Sequence, residues 1–185
     1  MASISMLESR KTGLVVIDMQ EKFRPIIRGF DELAEKVGIM VQGCNFLQIP
    51  ILVTEQYPQG LGETAKEISQ YLPSGTKPLE KKTFSACGVS EFDLQLRERH
   101  IEQILITGIE AHICVSQTVH DLLKLGYQVH LICDAIGARF EQNQALAFKR
   151  LKQAGAIISS VEMSLFELLK TSDNPMFKTI QRLIT

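Results

Sequence analysis

The run Gly13-Leu14-Val15-Val16-Ile17 is apolar at every position, with Thr12 before it and Asp18 after it. A half-exposed strand alternates apolar with polar residues, and an amphipathic helix repeats every three to four. A short uninterrupted run therefore specifies a strand buried on both faces. Such strands belong to parallel sheets covered by helices on each side, so the rest of the chain must supply those helices.

It does so in alternation. Leu33, Val37, Met40, Val41, Cys44 and Leu47 recur at helical spacing within 30–48, with Asp31-Glu32 placed where the helix dipole favours negative charge. Pro50 follows that helix, and a strand over 51–54 comes next. Pro58, Gly60 and Gly62 mark 56–62 as a loop leaving the strand's C-terminal end, before a short helix that runs to Leu72. Pro73-Ser74-Gly75 turns the chain, 77–82 reads as a polar third strand, and Ser90 is placed as the N-cap of a helix to Arg99.

The second half predicts strands over 103–107, 128–133 and 156–160 and helices over 113–125 and 142–153, with Gly126 and Gly155 closing the helices. A short helix over 165–170 and an amphipathic one over 176–183, entered through Asp173-Asn174-Pro175, complete the chain. Right-handed crossovers then place helices on both faces of the sheet, giving one three-layer α/β domain over 1–185. In such folds ligands bind beyond the carboxyl ends of the strands, where strand order reverses.

Composition narrows the function classes. Lys and Arg number 20 against 21 Asp and Glu, for a net charge of −1. That leaves no basic surplus for phosphates or anionic lipid, so neither a nucleic-acid nor a membrane partner is expected. No apolar run approaches the roughly 18 residues of a membrane span, and 1–12 has no apolar centre of the kind a secretory signal requires. The expected location is intracellular, in the cytoplasm or in association with mitochondria. Cys44, Cys87, Cys114 and Cys133 are widely spaced, without a Cys-x-x-Cys pair or Cys/His cluster, so neither a disulfide framework nor a structural metal site is expected. Cys44 on an apolar helix face and Cys133 at a strand end read as core, whereas Cys87 divides between core and pocket.

Three reactive side chains fall at strand ends: Asp18 after the first strand, Lys81 in the third, and Cys114 past the fourth, where a helix begins. A helix N-terminus and an ammonium both stabilise a thiolate, so a cysteine there is expected to ionise below its free pKa of about 8.5. Asp18 is placed to accept the thiol proton and return it to a leaving group, with Lys81 holding both anions. Backbone N–H groups at the beginning of the Cys114 helix point toward a developing oxyanion. Packing and capping remain the competing explanation for each residue taken singly.

At these positions the sequence resembles the isochorismatase-like hydrolases, the cysteine hydrolase superfamily that includes nicotinamidases and N-carbamoylsarcosine amidases. Three segments carry it: Val15-Val16-Ile17-Asp18-Met19-Gln20 with Phe23, Lys81-Lys82-Thr83-Phe84-Ser85-Ala86, and Gly108-Ile109-Glu110-Ala111-His112-Ile113-Cys114-Val115. Each is weak alone; their order and spacing are specific. The resemblance implies the Rossmann-like fold of that superfamily, with Asp18 as general acid/base, Lys81 as third triad member and Cys114 as nucleophile. It also implies a cis peptide between Ile109 and Glu110, with the N–H groups of Glu110 and Cys114 as oxyanion hole. Lys82 is then a solvated neighbour.

Members that cleave the isochorismate vinyl ether lack the cysteine, so Cys114 points to the amide-cleaving branch. Nicotinamidases carry an Asp-x-His metal motif where this chain has Thr54-Glu55-Gln56-Tyr57, so no metal and no cofactor are expected. The segment from Glu55 to Gly62 and the tail 173–178 look most like the eukaryotic isochorismatase domain-containing proteins. Some of those are labelled mitochondrial-associated ribonucleases, a label this composition does not favour.

The expectation is a metal-free cysteine hydrolase acting on the C–N bond of a small-molecule amide. Phe23, Glu55, Gln56, Tyr57, Phe84 and His112 are the candidate pocket residues. Core packing competes for the aromatics, and a structural hydrogen bond for His112. A homo-oligomer is expected, with the C-terminal helix as one candidate interface. The rivals are a redox-responsive or binding protein using the same thiol, and the ribonuclease.

Overall fold

A computed structural model describes residues 6–185, so the expectation for 1–12 falls in part outside the described residues. Among them, six parallel strands form one sheet: β1 (Thr12–Ile17), β2 (Ile51–Gln56), β3 (Leu79–Lys81), β4 (Gln103–Gly108), β5 (Gln128–Ile136) and β6 (Ile157–Ser159). Their spatial order is β3-β2-β1-β4-β5-β6. The chain travels outward from β1 to β3, then returns to lay β4 on the other side of β1. The reversal opens a crevice at the carboxyl ends of β1 and β4.

The apolar run of β1 feeds two cores, because successive side chains point to opposite faces. Leu14 and Val16 enter a core with α1 (Phe30–Phe46), while Val15 and Ile17 enter the opposite one. Two four-residue helical turns, α2 (Pro58–Leu61) and α3 (Lys66–Ser69), stand where the sequence predicts a loop and one short helix. Pro58 is the cause, since its ring fits the first position of a helical turn as readily as a loop. Helix α4 (Ser90–Glu98) begins at Ser90, but Val89 occupies the cap, so no side chain accepts a cap bond there. Helices α5 (Ser116–Lys124) and α6 (Glu141–Gln153) join α4 on the second face. Helices α7 (Val161–Leu169) and α8 (Phe177–Ile184) join α1 on the first. The α7 helix is longer than predicted because Ser160 caps it, accepting from Met163 N.

Strand β3 shrinks from the expected six residues to three, pairing Thr54, Glu55 and Gln56 with Leu79, Glu80 and Lys81. Strand β5 instead runs on to Ile136: Ile106 pairs with Leu131 but Gly108 with Ile136, so β5 bulges and brings its C-terminal end back beside β4.

Candidate active site

Asp18 is the first residue past β1. Its φ of +50° turns the chain sharply, a left-handed geometry that aspartate tolerates better than most residues. Its N–H still donates to Thr54 O at 3.1 Å, so the strand end is held while the carboxylate swings free of the ladder. Thr54 Oγ1 donates to Oδ1 at 2.8 Å, and Lys81 Nζ donates to Oδ2 at 2.7 Å. Lys81 lies in register with Gln56 at the outer edge of the sheet, so its long side chain crosses the end of β2 to reach β1. On the way it donates to Gln56 Oε1 at 2.7 Å and to the carbonyls of Thr83 at 3.3 Å and Phe84 at 3.1 Å. The ammonium is thus fully desolvated yet surrounded by acceptors.

Cys114 lies in a π-helical turn, Ala111–Val115, between β4 and α5. Val115 N reaches back to Glu110 O at 3.3 Å, the wider spacing that defines such turns and that recurs at functional sites. The thiol interacts with both the Asp18 carboxylate and the Lys81 ammonium. Residues 18, 81 and 114, far apart in sequence, therefore meet where strand order reverses.

Burial and the neighbouring carboxylate act against the ionisation that the sequence suggests for Cys114. Burial pushes the Cys114 thiol up to about 12, and the Asp18 carboxylate beside it adds to that, outweighing Lys81. Desolvation and a neighbouring anion thus act against the helix terminus and disfavour the thiolate. The same burial pushes the Asp18 carboxyl up, against the pull of Lys81 and of its hydrogen bonds. A carboxylate whose basicity is raised beside a thiol that feels its charge is suited to take that proton when a substrate arrives.

The other candidate residues divide. Gln56 faces the site through its bond to Lys81. Glu55 does not: it accepts from Thr64 N at 2.7 Å and Thr64 Oγ1 at 2.6 Å on the opposite face of the sheet, where it anchors the segment before α3. Period-two alternation puts Thr54 and Gln56 on one side and Glu55 on the other. Phe23 is partly buried and packs against the α1 core. Tyr57, just over half exposed, lays its ring over Gly60, where a Cβ would lie 2.4 Å from it. Phe84 is equally exposed and lines a surface depression of about 750 Å³ together with Ser85 and Cys87. His112 is half-buried, with Nε2 3.4 Å from Asn143 Nδ2.

The Ile109–Glu110 peptide is cis. Cys44 is fully buried, while Cys133 and Cys87 are half-buried, so Cys133 is less enclosed than a core residue. Among the described residues, no group of three or more His, Cys, Asp or Glu is placed to hold a metal ion.

Two contributors went unmarked in the sequence. Thr54 hydrogen-bonds Asp18, and Thr118 joins the motifs: its Oγ1 donates to Cys114 O at 2.7 Å and accepts from Ala86 N at 3.0 Å. The alternation of β2 carries a signal for Thr54. Thr118 carries one as well, four residues after Cys114 and so on the same helical face.

Residues 12–163 match the isochorismatase domain. The chain is 36% identical over 184 residues to isochorismatase domain-containing protein 2 of Danio rerio, covering 100% of this chain and 92% of the relative. The chain belongs to the isochorismatase family. Within the family, the solved structure named MAR1 ribonuclease from Caenorhabditis elegans superposes with a TM-score of 0.93 at 37% identity, covering 97% of this chain and 92% of that one. The YcaC gene product of Escherichia coli, described as an octameric hydrolase of unknown specificity, shares the fold at a TM-score of 0.89 and 18% identity, over 100% of this chain and 97% of its own. The family's six-stranded parallel sheet with helices on both faces is the architecture described above.

Proposed function

We propose that the protein is a cysteine hydrolase that cleaves the C–N bond of a small amide, or of a related carbonyl compound, through a Cys114 thioester. The observation that carries this reading is the buried Lys81–Asp18 pair at 2.7 Å, with the Cys114 thiol near enough for its ionisation to respond to both charges. Asp18 takes the thiol proton as sulfur attacks the carbonyl carbon, and Lys81 stabilises the anions that exchange it. The N–H groups of Glu110 and Cys114 receive the oxyanion. When the C–N bond breaks, Asp18 passes the proton to the departing nitrogen, leaving the acyl group on sulfur. Asp18 then takes a proton from water, whose oxygen attacks the thioester; the acid leaves, and the proton returns to Cys114. Gln56, Tyr57 and Phe84, on the two segments that flank Lys81, form part of the substrate pocket in this reading, with His112 on the nucleophile turn. The working form is a homo-oligomer, as named for the Escherichia coli relative.

Turnover of a panel of small primary amides and carbamoyl compounds tests the reading. Hydrolysis lost in Cys114→Ala and in Asp18→Asn supports it. A reactive thiol with no hydrolysis across the panel favours a redox-responsive or binding role. The name of the Caenorhabditis elegans relative favours a ribonuclease as second reading. RNA cleavage that survives Cys114→Ala in highly purified protein would replace the mechanism.

A further inference from the structure

We infer that Arg139 is a positioning residue for the Cys114 turn, acting through the side chain of Glu110. The inference rests on the hydrolase reading for what is positioned, namely the Glu110 N–H as an oxyanion donor. The Glu110 side chain is only 7% exposed, yet it carries a carboxylate that needs partners. Arg139 supplies them: its main-chain N–H donates to Oε2 at 3.0 Å, and its Nε lies 3.0 Å from each carboxylate oxygen.

Arg139 stands in the connection from β5 to α6, brought alongside by the bulge in β5. Backbone bonds lace the same two segments together, with Gly137 N donating to Gly108 O at 3.1 Å and Ala111 N to Gly137 O at 2.8 Å. They set the approach of the two segments. The carboxylate sets the rotation of Glu110 itself, because a desolvated anion holds its side chain where the charge-assisted donors are.

Removing the guanidinium leaves that carboxylate with one main-chain donor in a poorly solvated place. Its remaining route to water is to turn outward, which rotates the Glu110 peptide and misaims an N–H that must lie within about 3 Å of the oxyanion. The Arg139 side chain is 43% exposed, so truncating it creates no buried cavity. Its effect on chemistry should therefore pass through Glu110 and not through packing.

Two thiol reagents separate the parts of the site. Propionaldehyde labelled with carbon-13 at the carbonyl adds Cys114 across its C=O: an S–C bond forms, the π bond opens, and the thiol proton ends on oxygen. The resulting thiohemiacetal places its oxygen where the oxyanion donors would hold it as an acceptor. Iodoacetamide alkylates the same sulfur by displacing iodide and creates no oxyanion. The expectation for Arg139→Ala is an aldehyde affinity about tenfold weaker, with the alkylation rate within about twofold of the parent protein.

Arg139→Lys, which keeps the charge, should recover part of the loss. In a Glu110→Gln background, Arg139→Ala should change the aldehyde affinity no further. An aldehyde affinity indifferent to Arg139 overturns the inference, as does a loss that persists in full in the Glu110→Gln background, since Arg139 would then touch the ligand directly. Alkylation falling in parallel with affinity overturns it too, by showing a general loosening of the turn. Should Arg139→Ala not fold, Arg139→Gln decides by the same criteria. No thiohemiacetal on the parent protein would remove the oxyanion site and with it the hydrolase reading, a failure distinct from an adduct that forms and ignores Arg139.

Discussion

Lys81 Nζ and Asp18 Oδ2 stand 2.7 Å apart, with the two side chains 0% and 1% exposed. They come from strands separated by β2, and neither is solvated by anything but protein acceptors and donors. A pair this deep is a poor source of net stability but costly to break, because removing one partner strands a buried charge.

Lys81→Met is accordingly expected to lower stability by about 3–5 kcal/mol. Adding Asp18→Asn to it should recover part of that loss, since the stranded anion is gone. Urea unfolding midpoints of the two single variants and the double variant measure this. A double variant no more stable than Lys81→Met alone contradicts it.

The thiol and its base should respond to one substitution in opposite directions. Cys114 is pushed up to about 12 by burial and by Asp18. Alkylation of the parent protein by iodoacetamide should therefore climb about tenfold per pH unit and reach no plateau by about pH 10. In Asp18→Asn the raising anion is absent, so the thiol pKa falls and alkylation at pH 8 speeds up. Turnover of any amide substrate should nonetheless drop by about 10²–10⁴, because the general base is lost. Stopped reactions followed by mass spectrometry give both numbers.

His130, 2% exposed in β5, has its pKa pushed down from 6.5 to about 4 by burial. A group whose folded pKa lies below its unfolded value binds more protons when unfolded, so stability falls as pH drops from about 6.5 to about 4. The slope approaches about 1.4 kcal/mol per pH unit within that window and vanishes below it. Raised carboxyls such as Asp18 act in the opposite sense as pH falls, so the comparison must be with His130→Gln, whose acid limb should be flatter. Identical limbs in the two proteins would show that His130 is not the cause.

Gly108 closes β4 with φ +109°, and a Cβ there would lie 2.0 Å from Ile17 O, against backbone that cannot yield. Gly108→Ala should cost more than about 3 kcal/mol and displace the Asp18 and Cys114 segments relative to each other. Gly126, at φ +91° with nothing within 4 Å of its added Cβ, is the control, with an expected cost of about 1–2 kcal/mol. Thermal melting of the two variants compares them directly.

The architecture was legible because burial writes itself into local pattern. The apolar run of β1, the helical spacing from Leu33 to Leu47 and the glycines at 126 and 155 each report a conformation without reference to anything distant. The same holds for the positions of Asp18, Lys81 and Cys114 at strand ends, which follow from where the apolar runs stop. Boundaries failed where local preference is weak or shared, as with the polar β3, the helical turn at Pro58 and the serine beside the α4 cap.

What sequence alone decided, then, is the order of strands and helices and the kinds of reactive group delivered to one end of a sheet. What only tertiary structure decided is the energy of those groups. Lys81 pairs with Asp18 because strand order places β2 between them at a distance a lysine can cross. Glu55 turns to the other face and ties down Thr64, while Glu110 is claimed by an arginine brought near by a bulge. Above all, the pull of burial and of a neighbouring carboxylate against the Cys114 thiolate depends on three dimensions in a way that spacing along the chain does not encode.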